Sequence, residues 1–281
     1  MTAPFTHDFT DKVVVLTGAG GVLVSKFAKE YARAGAKVAL LDLNEEAAKQ
    51  FATEINEAGG IARAYKCNVL EKESIQAARD AVAKDLGTAD ILVNGAGGNN
   101  PRATTDNEFH EAEGLEDMKT FFDLDQDGIS FVFNLNFLGT LLPTQVFAKD
   151  MIGKEGTSIL NISSMNGFTP LTKIPAYSGA KAAISNFTEW LAVHFSHVGI
   201  RVNAIAPGFL VSNQNRGLLF NEDGTPTARA NKILSNTPMG RFGDAEELIG
   251  GLLFLTDEKA ASFVNGVVLP IDGGFNAYSG V

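Results

Sequence analysis

Ser164, Tyr177 and Lys181 carry the side chains on which a catalytic interpretation of this sequence depends. Tyr177 and Lys181 are four positions apart, so in a helix both side chains leave the same face, one turn from each other. An ammonium group about 4 Å away favours a phenolate by roughly 4 kcal/mol at an effective dielectric constant of about 20. We therefore expect Lys181 to lower the pKa of Tyr177 from about 10 toward neutrality, where general acid–base catalysis is most effective.

The same spacing also fits a helix whose tyrosine and lysine only face solvent, because Tyr-x-x-x-Lys occurs often by chance. Which interpretation is correct depends on the helices and strands that position the motif. Short apolar runs alternate with stretches of helical periodicity along the chain, at about 25–30 residues per unit. This alternation predicts the α/β class: a single-domain, doubly wound Rossmann fold, with a parallel sheet flanked by helices.

The predicted strands are largely apolar, as expected of parallel strands that are covered on both faces. They lie within residues 13–16, 37–42, 61–69, 89–98 (where the strand runs into a glycine loop), 157–162, 200–205 and 267–271. Predicted helices end at Gly35, run from an Asn44 cap to Gly59–Gly60, and cover residues 71–86, 129–151, 175–197 and 245–256. Two irregular regions, 98–128 and 207–236, interrupt the pattern, with short helices expected around 115–124 and 227–234. Irregular stretches of this length indicate functional loops.

Composition excludes several classes of partner. The 281 residues include 23 Lys and Arg against 33 Asp and Glu, a formal charge of −10, which argues against nucleic-acid binding. The single cysteine, Cys67, fits a reducing compartment and a buried thiol. The N-terminus lacks the apolar core of a secretory signal, and no apolar run reaches about 18 residues. We expect a cytoplasmic protein that does not bind membranes.

A glycine-rich turn after the first predicted strand indicates a dinucleotide site. Gly18, Gly20 and Gly21 allow backbone N–H groups to approach a pyrophosphate at a helix N-terminus. Asp42 ends the second strand, where a carboxylate accepts hydrogen bonds from both ribose hydroxyls of an adenosine and repels a 2′-phosphate. Leu43 supplies no counter-charge. The combination predicts NAD as the cofactor rather than NADP.

Several motifs now stand in a recognisable order: TGAGG, Asp42, NGAGG at 94–98, Asn136 in NFLGT, Ser164, the Tyr177–Lys181 pair, NAIAPG at 203–208 and a final DGG. In this order they resemble the short-chain dehydrogenase/reductase family over essentially the whole chain. The resemblance implies seven parallel strands in the order 3-2-1-4-5-6-7, in a subunit of a homodimer or homotetramer. The helix over 175–197 has apolar residues on several faces, which fits either a subunit interface or burial within one subunit.

The resemblance also implies roles for four residues. Tyr177 exchanges a proton with the substrate oxygen, and Ser164 binds that oxygen and steadies its developing charge. Lys181 lowers the tyrosine pKa and binds the nicotinamide ribose, while Asn136 holds a water that connects the lysine to solvent. Ser163 competes with Ser164 for its role, but its spacing to Tyr177 is one residue too long. The residues implied to bind the cofactor are Gly18, Gly20, Gly21, Leu23, Asp42, Asn68, Val69, Asn94, Ala96, Gly97, Tyr177, Lys181, Pro207, Leu210 and Ser212.

Four positions depart from the family pattern. Val22 and Val24 stand where the family has further glycines, which puts close contact between helix and cofactor in doubt. Asn68 replaces an aspartate that commonly touches the adenine, although an amide oxygen accepts the same hydrogen bond. Gly95 replaces the second asparagine of the family's Asn-Asn-Ala-Gly with, we expect, little physical change.

The substrate is predicted to lie between residues 98–128, 165–173 and 207–236. These segments contain amides suited to hydroxyl groups and cations suited to a carboxylate. The principal candidates are Asn99, Arg102, Asn166 and Arg216, with Asn100, Lys173, Asn213, Gln214 and Asn215 beside them. His110, His194 and His197 lack the carboxylate or cysteine neighbours of a metal site, so no metal is expected.

The runs NGAGGNNPRATT, FFDLDQDG and SSMNGFTPLTKIPAYS are similar to the short-chain-type D-mannonate oxidoreductases (fructuronate reductases), and to a lesser degree to gluconate 5-dehydrogenases. The resemblance implies NAD-dependent interconversion of a ketone and a secondary alcohol on a sugar acid. D-fructuronate and D-mannonate are the first candidates. The other class of function considered is a non-catalytic NAD-binding sensor on the same scaffold, which is disfavoured because such proteins usually lose one of the four catalytic residues.

Overall fold

The computed structural model describes residues 7–212 and 215–280, and its seven strands form one sheet in which every neighbouring pair is parallel. The sheet order is β3-β2-β1-β4-β5-β6-β7, which confirms the expected topology. The strands are β1 Val13–Thr17, β2 Lys37–Asp42, β3 Ile61–Lys66, β4 Ile91–Asn94, β5 Thr157–Ile162, β6 Ile200–Pro207 and β7 Val268–Ile271. The order reverses between β1 and β4, and such a switch point opens a crevice at the carboxyl ends of the strands.

Helices cover both faces of the sheet. They are α1 Val22–Arg33, α2 Glu45–Glu57, α3 Lys72–Asp85, α4 Gln126–Phe133, α5 Gly139–Met151, α6 Pro175–His194, α7 Arg216–Leu219, α8 Ala228–Ser235, α9 Ile249–Thr256 and α10 Glu258–Ala261. The Asn44 side chain caps α2 by accepting a hydrogen bond from the Ala47 N–H, as the sequence predicts.

Two apolar cores lie on opposite sides of the sheet because successive strand residues point to opposite faces. In β1, Val14 and Leu16 pack into the core beneath α1 and α9, whereas Val13 and Val15 pack into the core beneath α3 and α5. All four side chains are buried. This two-sided burial explains why the strands are apolar runs rather than alternating ones.

The helix that crosses behind β4 contains a wider turn. Residues Asn134–Leu138 form a π-helical turn between α4 and α5, and the three segments make one continuous helix, Gln126–Met151. By length and apolar composition this helix is able to cross a membrane, although the sequence contains no uninterrupted apolar run of about 18 residues. However, half of its most apolar stretch is buried, and α5 packs against α3 and β4. We therefore assign it to the protein core; no other helix in the described residues passes the same test.

The irregular regions differ in detail from expectation. No helix covers 115–124: only a single 3₁₀ turn forms at Phe121–Asp123, capped by Thr120, and the next helix begins at Gln126 on an Asp125 cap. Helix α6 ends at His194, three residues earlier than predicted, and Gly199 adopts a left-handed φ of 81° after a final 3₁₀ turn. On α6, Leu191 is buried while Trp190 and Val193 are exposed, so its apolar residues face two directions.

Candidate active site

A cleft of about 860 Å³ lies along the carboxyl edge of the sheet. Its floor is formed by the segments that follow β1, β4, β5 and β6, which is the position that the reversal in strand order predicts. The predicted cofactor residues that line it are Gly18, Gly21, Leu23, Asp42, Asn68, Val69, Ala96, Gly97, Tyr177, Lys181, Pro207, Leu210 and Ser212. Residues far apart in sequence therefore meet in one site.

The glycine turn after β1 leaves room and donors for a phosphate. Gly18 has a φ of 69°, and a Cβ there would lie 2.8 Å from the Ala96 backbone, so the turn requires glycine. Gly21 is the N-cap of α1 and offers no side chain to its first N–H groups. These groups remain available as donors at the positive end of the helix dipole. The backbone thus suits the pyrophosphate of a dinucleotide.

Asp42 stands beside this turn. Its Oδ2 accepts a hydrogen bond from the Gly20 N–H at 2.8 Å, and its Oδ1 accepts one from the Asn44 N–H at 2.8 Å. A Cβ on Gly20 would lie 3.0 Å from the Asp42 carboxyl carbon. The carboxylate is therefore held at the end of β2, where it lines the cleft and keeps acceptor capacity of the kind that ribose hydroxyls require.

Ser163 and Ser164 follow β5 but have different surroundings. The Ser163 hydroxyl bonds to the Lys181 carbonyl at 3.1 Å and to the Ser185 hydroxyl at 2.8 Å, which joins it to α6. The Ser164 Oγ accepts a hydrogen bond from the Asn166 N–H at 3.2 Å, and its own O–H faces the Tyr177 hydroxyl, whose pKa it lowers. Ser164 is consequently the serine whose donor lies beside the tyrosine and suits a substrate oxygen.

Tyr177 and Lys181 share the first turns of α6, as their spacing predicts. Lys181 Nζ lies 5.5 Å from the centre of the Tyr177 ring and donates to the Ile162 carbonyl at 2.8 Å. Burial raises the pKa of Tyr177 to about 12, against an opposing effect of the Ser164 hydroxyl, and burial lowers the pKa of Lys181 to about 8. Lost hydration is thus the largest influence on both pKa values in this structure, and the lowering of the tyrosine pKa by Lys181 stays a prediction.

Asn136 occupies the centre of the π-helical turn and is fully buried. Its Nδ2 donates to the Gly98 carbonyl at 2.7 Å and to the Val132 carbonyl at 2.8 Å, and its Oδ1 accepts a bond from the Gly98 N–H at 3.3 Å. A Cβ on Gly97 would lie 2.7 Å from the Asn136 Oδ1 and 3.4 Å from Lys181 Nζ. A glycine at 97 is thus what lets the asparagine and the lysine approach the same loop.

Two predicted cofactor residues have largely structural surroundings. Asn94 is buried below the cleft, where its Nδ2 donates to the Thr144 hydroxyl and the Asn161 amide oxygen, both at 2.9 Å. Asn68 lines the cleft, but its amide already bonds to the Leu70 N–H at 3.1 Å and to Glu71 at 2.8 Å. The Asn94 amide therefore does not lie at the cleft surface.

The predicted substrate residues likewise differ in whether they line the cleft. Arg216 lines the cleft. Arg102 does not, and its guanidinium pairs with Asp125 at 2.6 Å and Asp127 at 3.6 Å. The Asn99 amide donates to Thr104 at 3.1 Å on the protein surface, whereas Asn166 is buried directly behind Ser164. Asn213 and Gln214 lie outside the described residues.

Sequence reasoning missed Thr17, the last residue of β1. Its buried hydroxyl accepts hydrogen bonds from the N–H groups of Gly95 at 3.1 Å and Ala96 at 3.3 Å, and so holds the glycine loop that forms one wall of the cleft. The available signal was a polar residue at the end of an otherwise apolar strand. Within residues 7–212 and 215–280, no group of three or more His, Cys, Asp or Glu side chains is arranged to hold a metal ion.

Known proteins match this chain over nearly its full length. The family model for short chain dehydrogenases matches residues 12–221. An uncharacterised oxidoreductase of Haemophilus influenzae is 68% identical over 281 residues, which cover 100% of this chain and 99% of that protein. An uncharacterised oxidoreductase of Bacillus subtilis is 48% identical over 278 residues, covering 99% of both chains.

Solved structures agree with this relationship. A structure from Haemophilus influenzae with bound NAD, provisionally assigned as a D-mannonate oxidoreductase, has a TM-score of 0.96 and 69% identity, with 98% of each chain covered. A gluconate 5-dehydrogenase from Burkholderia cenocepacia, in complex with NADP and tartrate, has a TM-score of 0.82 and 28% identity, covering 97% of this chain and 98% of that one. With its dinucleotide cleft and its Ser164–Tyr177–Lys181 site, the chain belongs to the short-chain dehydrogenase family and is an NAD-dependent oxidoreductase.

Proposed function

We propose that this enzyme interconverts a ketone and a secondary alcohol on a sugar acid, with D-fructuronate and D-mannonate as the pair. The observation that carries this proposal is the 69% identity to the NAD-bound Haemophilus influenzae structure assigned as a D-mannonate oxidoreductase. At this level of identity over 98% of both chains, the loops at the cleft are expected to be shared as well as the sheet.

The protonation states and hydrogen-bond donors of the cleft residues support the proposed chemistry. NAD, when bound, supplies the nicotinamide that gives or accepts a hydride. The Tyr177 phenol, whose pKa burial raises, is protonated at neutral pH and donates its proton to the substrate oxygen during reduction. Ser164 donates its O–H to the same oxygen and stabilises the charge that develops there.

Lys181 and Asn136 support this proton transfer. Lys181 has a pKa of about 8 and lies one turn from Tyr177, so it is able to return a proton to the tyrosine after each turnover. Asn136 Oδ1 borders the same glycine loop as the Lys181 ammonium. We assign Asn136 the role of holding a water that connects the lysine with solvent. We assign Asp42 the adenosine ribose, and the α1 N-terminus the pyrophosphate.

The three segments expected to enclose the substrate are joined to one another. The Thr105 N–H bonds to the Lys173 carbonyl at 2.9 Å, and Lys232 on α8 forms an ion pair with Glu108. These contacts connect the 98–128 region, the loop before α6 and the 207–236 region. Arg216 has no acidic partner among the described side chains, and its guanidinium stacks over the Phe220 ring at 5.3 Å. We therefore assign the substrate carboxylate to Arg216 rather than to Arg102.

Gluconate 5-dehydrogenase is the alternative activity. The Burkholderia cenocepacia structure with that name holds tartrate, a hydroxylated dicarboxylate, which favours a hydroxy acid as substrate here as well. That structure binds NADP, whereas the Asp42 carboxylate of this chain repels a 2′-phosphate. In both candidate reactions the ketone carbon stands between a hydroxymethyl group and a secondary alcohol, far from the carboxylate.

We also propose that the enzyme is a cytoplasmic homotetramer or homodimer. Exposed apolar side chains cluster on neighbouring helices: Phe131 and Phe133 on α4, Leu138 in the π-helical turn, and Trp190 and Val193 on α6. An apolar face of this kind favours association with a second copy. Light scattering on the purified enzyme checks the assembly, and a monomer at micromolar concentration contradicts it.

A steady-state screen of sugar acids with NAD(H) and NADP(H) tests the function. We expect the highest kcat/KM for D-fructuronate reduction with NADH, and at least about tenfold less for 5-ketogluconate. The matched control is Tyr177→Phe, which keeps the ring but removes the proton, and should bind NADH normally while losing nearly all turnover. NADH binding without turnover of any sugar acid would favour the sensor alternative.

A further inference from the structure

The backbone that follows β6 runs beside the cleft and is bonded along one side to Gly243. The Gly243 N–H donates to the Phe209 carbonyl at 3.0 Å, and the Val211 N–H donates to the Gly243 carbonyl at 3.0 Å. This is the bond pattern of a parallel bridge centred on Leu210. Because successive residues of an extended chain turn their backbone polar groups to opposite sides, the Leu210 carbonyl and the Ser212 N–H face away from Gly243 and need another partner.

The side chain of Asn215 bonds to both of these groups. Its Nδ2 donates to the Leu210 carbonyl at 2.8 Å, and its Oδ1 accepts a hydrogen bond from the Ser212 N–H at 2.8 Å. The carboxamide thus takes the place of a peptide group on a neighbouring parallel strand, with one donor and one acceptor. Aspartate lacks the donor and alanine lacks both groups. The sequence puts Asn215 beside the principal substrate candidates, but both ends of its amide are bonded to this backbone.

The bonded segment borders the end of the cleft at which the nicotinamide has to bind. Asp42 and the glycine turn follow β2 and β1, whereas Ser164 and Tyr177 follow β5, whose next neighbour in the sheet is β6. Proton transfer and hydride transfer act on the oxygen and the carbon of one substrate carbonyl group. The nicotinamide therefore belongs on the Tyr177 side of the cleft, where Leu210 and Ser212 also line it.

We infer that Asn215 is a positioning residue, which holds Leu210 and Ser212 in the conformation that binds the nicotinamide end of NAD. A segment that is bonded along both sides loses less conformational freedom when the cofactor binds, and this favours affinity. The same turn fixes Arg216, whose N–H donates to the Ser212 carbonyl at 3.0 Å. Asn215 thereby also positions the cation that we assign to the substrate carboxylate, and this second effect rests on the proposed function.

Binding of NADH and of ADP-ribose tests the positioning role, because ADP-ribose retains the adenosine, the pyrophosphate and the second ribose but has no nicotinamide. We expect Asn215→Ala to raise the Kd of NADH by about tenfold and the Kd of ADP-ribose by less than about twofold, measured by titration calorimetry. Asn215→Asp turns a second oxygen toward the Leu210 carbonyl and should weaken NADH binding at least as much. The control is Asn221→Ala, which removes an amide that donates to Thr225 on the surface, and should change neither Kd by more than about twofold.

The two ligands separate a positioning role from a purely structural one. Equal losses for NADH and ADP-ribose would mean that Asn215 only maintains the fold, and an unchanged Kd for NADH would mean that the segment does not need the amide; either overturns the inference. If Asn215→Ala does not fold, the same comparison is decided by Asn215→Asp, which has nearly the same shape as the wild type.

The link to Arg216 is tested by the KM for the sugar acid with the highest rate, at saturating NADH. Asn215→Ala should raise this KM by about three- to tenfold in the wild type, and by less than about twofold in an Arg216→Ala background. An equal rise in both backgrounds would overturn the link. If no sugar acid is turned over, the proposed function fails, whereas the Kd values of NADH and ADP-ribose still decide the positioning role.

Discussion

Val24 packs directly over Gly95, and the two residues form one van der Waals contact between α1 and the loop after β4. A Cβ on Gly95 would lie 2.5 Å from the Val24 Cγ2 and 2.9 Å from the Thr17 carbonyl oxygen. Val24 is one of the positions where the family pattern has glycine, and Gly95 is a position where it has asparagine. Because Gly95 has no side chain, the loop leaves room for the Val24 side chain. This one contact explains both departures from the family pattern.

This contact predicts a coupled effect on stability. Gly95→Ala should lower the free energy of unfolding by about 1–3 kcal/mol, because a short valine side chain cannot move aside. Val24→Ala removes the clashing methyl groups, so the double variant should recover about 1 kcal/mol relative to the sum of the single changes. Recovery is incomplete, since the contact with the Thr17 oxygen remains. Urea unfolding of the four proteins measures the coupling, and strict additivity would contradict it.

Burial of Lys181 predicts that its ammonium group destabilises the folded protein when no cofactor is bound. Its pKa falls from 10.5 to about 8, so the unfolded chain binds the extra proton between these pH values. The destabilisation, about 3 kcal/mol, is complete below pH 8 and disappears as the pH rises toward 10.5.

Lys181→Met should therefore raise the free energy of unfolding at pH 7 by about 1–2 kcal/mol, since loss of the bond to the Ile162 carbonyl offsets part of the gain. The advantage should shrink steadily from pH 8 to pH 10.5, and turnover should be lost at every pH. Thermal unfolding across this pH range provides the measurement. A Met variant less stable than the wild type at pH 7 would show that the hydrogen bond outweighs the buried charge.

We expect the preference for NAD over NADP to depend on the Asp42 carboxylate. Asp42→Ala removes the ribose acceptor and also the partner of the Gly20 and Asn44 N–H groups, so NADH affinity should fall by about tenfold or more. Asp42→Asn keeps an acceptor oxygen but removes the charge, and should shift the NADP(H)/NAD(H) ratio of kcat/KM by about tenfold with less loss of NADH affinity. Nucleotide titrations and initial rates measure both quantities. An unchanged ratio in both variants would exclude the carboxylate as the source of the preference.

Substitutions of the two arginines that the sequence predicts to bind substrate should have different effects. Arg216→Ala should raise KM for the sugar acid by about tenfold or more with a smaller effect on NADH binding, because it removes the cation at the cleft. Arg102→Ala should leave KM within about twofold and lower the free energy of unfolding by up to about 1 kcal/mol, since it only loses exposed ion pairs with Asp125 and Asp127. The reverse pattern would place the carboxylate beside the 98–128 region.

The strands were predictable because burial on both sheet faces leaves a clear apolar signal. β2 and β5 have the predicted bounds, and the order of all seven strands follows the family resemblance. The helix expected over 115–124 does not form; Phe121 and Phe122 lie exposed in a single 3₁₀ turn, and the Asp125 cap begins the helix instead. Helical spacing alone does not show whether another element is present to cover an apolar face.

Most of the predicted cofactor and proton-transfer residues meet in one cleft, but their hydration was not predictable from the sequence. The spacing of Tyr177 and Lys181 correctly placed both on α6, but it contained no information on burial, which is the largest influence on both pKa values. Likewise, the ion pairs that occupy Arg102 involve residues more than twenty positions along the chain. The contact between Val24 and Gly95 is similar, because each residue looks like an independent departure until the fold brings them together.

The π-helical turn at Asn134–Leu138 also controls the rotational phase of the long helix that contains it. Before the turn, Val132 packs with Ala176 and Ala180 of α6; after it, Phe147 and Met151 pack into the core under the sheet. An α-helix rotates by about 100° per residue, and a π-turn accommodates one residue more than an α-turn. If the same residues formed a regular α-helix instead, the segment after the turn would rotate by about 100° and one apolar stripe would leave its core, whereas deleting one residue of the turn would restore regular geometry with both stripes in phase. The bulge that presents Asn136 is therefore also the element that keeps two separate packing interfaces in register.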